Sequence, residues 1–236
     1  MRRSPDTPPA ARADSGRSSA GATSLASDAG SNRTPAVPTE DVVTGNTYDK
    51  YGSTNPIEQR MMANFLRRLD SMLDGLAPRR VLEIGVGEGE VLDRVRTRFP
   101  DADIVGVDLP DPELAAQWRE RGVSAMFADA TRLPFPDDAF DLALAIEVME
   151  HIPQPARALD ELARVCTGTL VLSVPFEPVW RAGNLARRRY VRDWGNTPGH
   201  VNHWTRWGFR RFVASVFDVE QVRSPLPWTM VRATTR

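Results

Sequence analysis

Cysteine is almost missing from this chain: Cys166 is the only one, so no internal disulfide framework exists and a reducing cytoplasm is the simplest home. Cys166 itself reads as a packing residue at a helix end. Histidine is scarce too, with His151, His200 and His203 making up the set. Three histidines, one cysteine and no H-E-x-x-H pattern give too few ligands at metal spacing, and the reading is no metal. Lysine occurs once, at Lys50, the remaining basic residues being arginine, a bias that fits a GC-rich coding sequence as well as any functional demand. No apolar run approaches the roughly 18 residues of a membrane span. Net charge is −1, so no global electrostatic argument for nucleic acid arises.

What is present falls into two parts. Residues 1–41 are Ser, Ala, Pro, Thr and Gly with scattered Arg and Asp. So few large apolar side chains cannot offset chain entropy, and the expectation is a disordered tail. Arg2-Arg3 is followed by no apolar stretch of the kind a secretion signal carries. Residues 42–236 then read as one domain with enough apolar content for a core. Asn55-Pro56 starts a helix in which Ile57, Met61, Met62, Phe65, Leu66, Leu69, Met72 and Leu73 recur at helical spacing.

The stretch around which the chain is organised is Val81-Leu82-Glu83-Ile84-Gly85-Val86-Gly87-Glu88-Gly89-Glu90. A buried-strand pattern runs into a glycine-spaced turn and then into a helix carrying Val91, Leu92, Val95 and Phe99, a nucleotide-binding corner. A dinucleotide fingerprint would need a third glycine at position 90, where Glu90 stands. Glu83, two residues before the first glycine, suits an ammonium group better than a pyrophosphate, which it would repel. The pattern Glu83-x-Gly85-x-Gly87-x-Gly89 resembles the first motif of the class I S-adenosylmethionine-dependent methyltransferases.

Downstream, the second strand ends at Asp108, 23 residues past Gly85. An acidic residue there accepts hydrogen bonds from ribose hydroxyls, and the same residue is also placed to cap the next helix. Leu109 could lie against an adenine. A helix through Leu114, Ala115, Trp118 and Arg121 ends at Gly122. The third strand, from Val123, leads into Ala128-Asp129-Ala130-Thr131-Arg132-Leu133-Pro134-Phe135. That segment resembles the family's D-A-x-x-L-P-F turn, which implies that Asp129 and Ala130 meet the adenine. The fourth strand, Asp137 to Ile146, is an almost unbroken apolar run fit for a central parallel strand. It ends in Glu147-Val148-Met149-Glu150-His151-Ile152, which resembles the family's E-x-x-E-H element. The resemblance brings Ile146 and Glu147 to the methionyl part of the cofactor. His151 reads either as a helix-start residue bonded to backbone or as a general base.

A helix over 155–165, closed by Gly168, precedes a fifth strand, Thr169 to Pro175. Strand–helix alternation with short loops gives an α/β fold. The family likeness specifies a Rossmann-like, seven-stranded, mostly parallel sheet of order 3-2-1-4-5-7-6 with helices on both faces. Thr205 caps a helix from Arg206 to Val216, and two alternating segments near 218–223 and 228–233 close the sheet as a hairpin. Residues 176–204 form an insertion after strand 5, read as a lid over the acceptor. From Phe176 to Arg211 eight arginines face only Glu177 and Asp193, an excess of six positive charges. Arg187, Arg188 and Arg189 with Trp194 and His203 are the acceptor-binding candidates, suited to an anionic or apolar body. His200 is the preferred general base, at the position the family's H-x-x-x-W element shares. By the same likeness the first helix roofs the cofactor, and Tyr48 and Tyr51 either close over the ligand or pin that helix to the core.

The resemblance therefore implies S-adenosyl-L-methionine as cofactor and an enzyme that aligns nucleophile, methyl and leaving sulfur while excluding water. Its acceptor is a small molecule or a lipid-linked one, with weak peripheral membrane contact compatible with the arginines. No N/D-P-P-Y motif follows the fourth strand, which argues against amino-group methylation of bases, and no nucleic-acid partner is expected. Two other readings stand beside it: a nicotinamide-dependent oxidoreductase, and a protein that binds the methyl donor without catalysis. Nothing in the sequence sets an oligomeric state.

Overall fold

Five apolar residues in a row, Leu142 to Ile146, make the strand on which the rest is built. In the computed structural model, which describes residues 54–236, β4 (Phe140–Ile146) is buried at every position except Asp141. The partial exception has a use, because the Asp141 carboxylate accepts from the backbone N–H groups of Arg79 and Arg80 at 2.9–3.1 Å. That contact fixes the start of β1 (Arg80–Ile84) beside β4. β1 pairs in parallel with β2 (Asp103–Asp108), which pairs with the three-residue β3 (Ala125–Phe127). On the other side β4 pairs in parallel with β5 (Cys166–Pro175). β7 (Trp228–Thr234) then runs antiparallel between β5 and β6 (Asp218–Arg223). The sheet has seven strands in the order β3-β2-β1-β4-β5-β7-β6, as the family likeness implied.

Side chains alternate across the sheet, and the two faces make two cores. Leu142, Leu144 and Val171 face Phe65, Leu69 and Met72 of α1 (Pro56–Met72) and Val91 and Val95 of α2 (Glu90–Arg98). Ala143, Ala145, Leu170 and Leu172 face Leu159 and Leu162 of α4 (Pro155–Val165) and Phe209 and Val213 of α6 (Arg206–Val213). α3 (Pro112–Arg121) covers β2 through Trp118, and α5 (Glu177–Ala186) follows β5 directly, with a single 3₁₀ turn at Val191–Asp193 after it.

Several boundaries move from their expected places. Gly168 does not close α4. The helix passes straight into strand at Cys166, and Gly168 lies inside β5, where an added Cβ would meet the carbonyl oxygen of Asp141 at 2.0 Å. The glycine serves a close strand approach at the register shift between Phe140 and Leu142. β3 loses its first two expected residues, and α6 stops at Val213 because its last turn tightens into bonds from Ser215 N to Phe212 O and from Val216 N to Val213 O. Asp111, not Asp108, caps α3, accepting from Glu113 N at 2.8 Å. Asn55 and Thr205 cap α1 and α6 as expected. Tyr48, Tyr51 and the tail over 1–41 lie outside the described residues.

Candidate active site

The carboxyl ends of β1, β2 and β4 are neighbours in the sheet, and ligands of open α/β sheets bind outside such ends. Between β1 and α2 the chain turns through Gly85, Gly87 and Gly89, with φ of 70°, 50° and 90°. That left-handed region suits residues without a Cβ. At Gly85 a Cβ would also lie 2.2 Å from Cγ2 of Val148, so this glycine lets the turn after β4 close against the turn after β1.

The glycine turn is braced from α3. Trp118 Nε1 donates to the Gly87 carbonyl at 2.8 Å, and Arg121 Nη1 donates to that of Glu88 at 2.7 Å. Arg121 also pairs with Glu90 at 2.9 Å and Asp93 at 2.5 Å. The sequence reading put Trp118 and Arg121 on a helix and gave them no part in the site. Their i, i+3 spacing on one helix face is the signal that could have found them.

Asp108 stands at the end of β2. Its Oδ2 accepts from Gly87 N and its Oδ1 from Leu109 N, both at 2.7 Å. An ionised carboxylate has about four lone-pair sites, so two such bonds orient the group and leave capacity for ligand hydroxyls. Burial raises the Asp108 pKa against the lowering effect of those two N–H bonds, and Asp111 adds to the rise. Glu83 is more strongly affected: burial first, then the charges of Asp108 and Asp93, push its pKa well above the ordinary carboxylate range. Glu83 is 2% exposed, and its Oε2 is buried without a hydrogen-bond partner among the described residues. A cation there would meet an acceptor that those residues do not satisfy.

Of the other cofactor candidates, Leu109 is exposed beside Asp108 and Ala130 is half-buried against the core. Asp129 is exposed just past β3, where its Oδ1 accepts from Thr131 N at 2.8 Å and Thr131 Oγ1 at 2.9 Å. Ile146 ends β4 with its side chain in the core. Glu147 has a φ of 61°, and its Oε1 accepts from Ser173 Oγ of β5 at 2.9 Å. That geometry turns its carboxylate toward β5.

A second group of polar side chains gathers at the carboxyl ends of β4 and β5. His200 is 6% exposed, with Nδ1 2.9 Å from Glu177 Oε1 at the start of α5. His151 places its Nδ1 3.0 Å from the Gly199 carbonyl, and the two rings meet edge to face with centroids 4.9 Å apart. His151 is thus bonded to backbone as one reading expected, but in a turn ahead of α4 and not at a helix start. Glu150 is fully buried beside them, and one ligand atom from each of Glu150, His151 and His200 lies within 4.8 Å of the others. Ligand counting by spacing, the ground for rejecting a metal, misses this trio, which the fold assembles from segments 50 residues apart. Asn202 locks the assembly, its Nδ2 donating to the carbonyls of Met149 at 2.9 Å and Ile152 at 2.7 Å. Neither Glu177 nor Asn202 was a sequence candidate.

The acceptor candidates do not converge. Arg187 pairs with Glu58 of α1 at 2.8 Å, so its charge is met. Arg188 and Arg189 are exposed past the end of α5, and Trp194 is 77% exposed. His203 stands apart from the other histidines, with Nε2 2.9 Å from Asn196 Oδ1. Trp180 and Asn184 tie α5 to the loop that follows, through Thr197 Oγ1 and the Gly195 carbonyl.

The sheet order and the acid-flanked glycine turn, with the matches that follow, support a class I S-adenosylmethionine-dependent methyltransferase domain with S-adenosyl-L-methionine as cofactor. Residues 82–171 match the family model described as a methyltransferase domain. Over 124 residues the chain is 36% identical to the demethylmenaquinone methyltransferase of Thermus thermophilus, covering 49% of this chain and 56% of that protein. It is 32% identical over 123 residues to the malonyl-[acyl-carrier protein] O-methyltransferase of Geobacter sulfurreducens, covering 50% and 44%. The chain spans about half the length of the curated relatives it matches. A solved protein from Pyrococcus horikoshii OT3 shares the fold, with a TM-score of 0.61 at 18% identity over 80% of this chain and 97% of that one. No helix among the described residues is long and apolar enough to cross a membrane.

Proposed function

We propose that this protein transfers the methyl group of S-adenosyl-L-methionine to a small-molecule or lipid-linked acceptor, one that carries anionic character. The observation that carries the reading is the pairing of two acids at adjacent strand ends. Asp108 is oriented by Gly87 N and Leu109 N, and Glu83 is buried with an unsatisfied oxygen behind the glycine turn. Asp108 would hold the ribose hydroxyls, Glu83 the ammonium side, Asp129 and the Ala130 N–H the adenine, and Leu109 would cover its face. The cofactor supplies an electrophilic methyl on a positively charged sulfur. The protein's part is to orient donor and acceptor and to keep water out. His200, held by Glu177, is the residue suited to receive an acceptor proton, and His151 lies against it.

On the acceptor side the names of the relatives, demethylmenaquinone methyltransferase and malonyl-[acyl-carrier protein] O-methyltransferase, support small or carrier-linked acceptors. Arg188, Arg189, Trp194 and His203 are the side chains proposed to meet such a body, each from its own place between α5 and α6. Arg187 contributes less, its charge being met by Glu58.

Calorimetry tests the donor half. S-adenosyl-L-methionine and its demethylated product should both bind, and NAD(P) should not. Asp108→Ala should weaken both by the same factor, roughly 10- to 100-fold for a lost charge-assisted bond, because both carry the same ribose. Binding of NAD(P) in place of S-adenosyl-L-methionine would overturn the reading. Unchanged affinity in a folded Asp108→Ala would remove that residue from it.

A further inference from the structure

Glu150, His151 and His200 have more order than a chance meeting of polar side chains. The carbonyl of Gly199 can only accept, so Nδ1 of His151 must carry the proton. Glu177 Oε1 imposes the same tautomer on His200. In each ring Nδ1 is thus the oriented nitrogen, and Nε2 is the one the site would use. Histidines that ligate metals are held this way, with the far ring nitrogen given to a carbonyl or a carboxylate. Glu150 adds a carboxylate that is 0% exposed and brings one ligand atom within 4.8 Å of those of the two histidines. Trp180 stacks beside His200 at 6.4 Å between ring centroids and shields that side, while His151 is half-buried and leaves an approach. The backbone N–H groups of Val201 and Asn202 both donate to the Glu150 carbonyl, at 2.9 and 3.0 Å. They fasten the segment bearing His200 to the segment bearing Glu150 and His151.

We infer that Glu150, His151 and His200 form a binding site for one divalent transition-metal ion at the carboxyl end of β4, with Glu177 and the Gly199 carbonyl orienting the two imidazoles. Two histidines and one carboxylate are a donor set for zinc, manganese or iron(II), and three protein ligands leave coordination positions open. Bonds of about 2.0–2.2 Å require ligand atoms closer together than the present 4.8 Å limit. Small side-chain rotations about fixed backbones would supply that contraction. A role for the ion in catalysis rests on the function proposed above; the site itself does not. An acceptor hydroxyl at an open position would be acidified, as metal-bound water is, and would release its proton to solvent, since His200 would serve as a ligand in place of its role as base. The resulting oxygen anion then forms the O–CH₃ bond while the C–S bond breaks, its electron pair passing to sulfur to give a neutral thioether.

The test uses the full chain without an affinity tag, stripped with a chelator and titrated with MnCl₂ and with ZnCl₂ in a calorimeter. One ion per chain should bind saturably. Glu177→Gln should weaken binding by roughly 10–100-fold, the usual effect of removing a partner that orients a ligand. His200→Ala and Glu150→Gln should weaken it further. Where either variant fails to fold, the visible spectrum of Co²⁺ bound to the unaltered chain decides, since nitrogen ligation shifts and intensifies its bands. Three outcomes overturn the site: no saturable binding of either ion, an aqueous Co²⁺ spectrum, or equal affinity in a folded His200→Ala. Donor binding is measured separately, so a chain that takes the ion but not S-adenosyl-L-methionine would refute the proposed function and leave the ion site standing.

Discussion

Glu83 shows how its place in the fold can keep a single side chain from ionising at its ordinary pH. Its strand position buries it, and the neighbouring Asp108 and Asp93 add negative potential, so the ligand-free protein holds its proton above the ordinary carboxylate range. The unfolded chain releases that proton at the usual value. The folded state therefore binds more protons through the window between the two, and stability falls as pH rises across it. Asp108 is shifted the same way, though less. Glu83→Gln removes one titration. Thermal melts of both chains from acid to neutral pH should show the unaltered protein losing ground to the variant as pH rises from the ordinary carboxylate range. Saturating S-adenosyl-L-methionine should shrink that loss, because a cation favours the charged carboxylate. Parallel pH profiles would mean that the carboxyl ionises freely.

At the scale of elements, the site depends on two turns that must touch. Gly85 lies after β1 and Val148 after β4, and a Cβ on the first would lie 2.2 Å from a methyl of the second. Gly85→Ala therefore faces two costs, the clash and a φ of 70°. Val148→Ala in the same chain removes only the clash. Urea unfolding should show a large loss for Gly85→Ala and partial recovery in the double variant. About 1–2 kcal/mol should remain for the left-handed backbone, a coupling that independent sites would not show. If the double variant is no more stable than Gly85→Ala, the contact does not set the turn.

For the whole molecule, the described fold carries its own two-sided core, with Phe65, Leu69 and Met72 of α1 already on one face of the sheet. The composition of residues 1–41 offers almost nothing to bury. Removal of those residues should leave the melting temperature and the affinity for S-adenosyl-L-methionine unchanged. A fall of several degrees would mean that they contribute packing of their own.

How far the sequence alone determined this protein follows from what each signal depends on. The central strand is legible because apolar runs such as Leu142 to Ile146 can only be buried. The glycine turn is legible because left-handed backbone favours one residue type, and Asp108 because a strand-end acid lies at a fixed distance along a β-α-β unit. These are local rules, and they placed the central strands and the glycine turn, whereas the strand order came from the family likeness. The boundary at Gly168 was misread because a glycine serving a close strand approach looks the same in sequence as one ending a helix. Trp118, Arg121, Glu177 and Asn202 were missed because their partners are carbonyls or side chains on other elements, which carry no mark in the local pattern. The union of Glu150 and His151 with His200 was decided only by tertiary structure: β5 and α5 must fold between them before three ordinary side chains become neighbours.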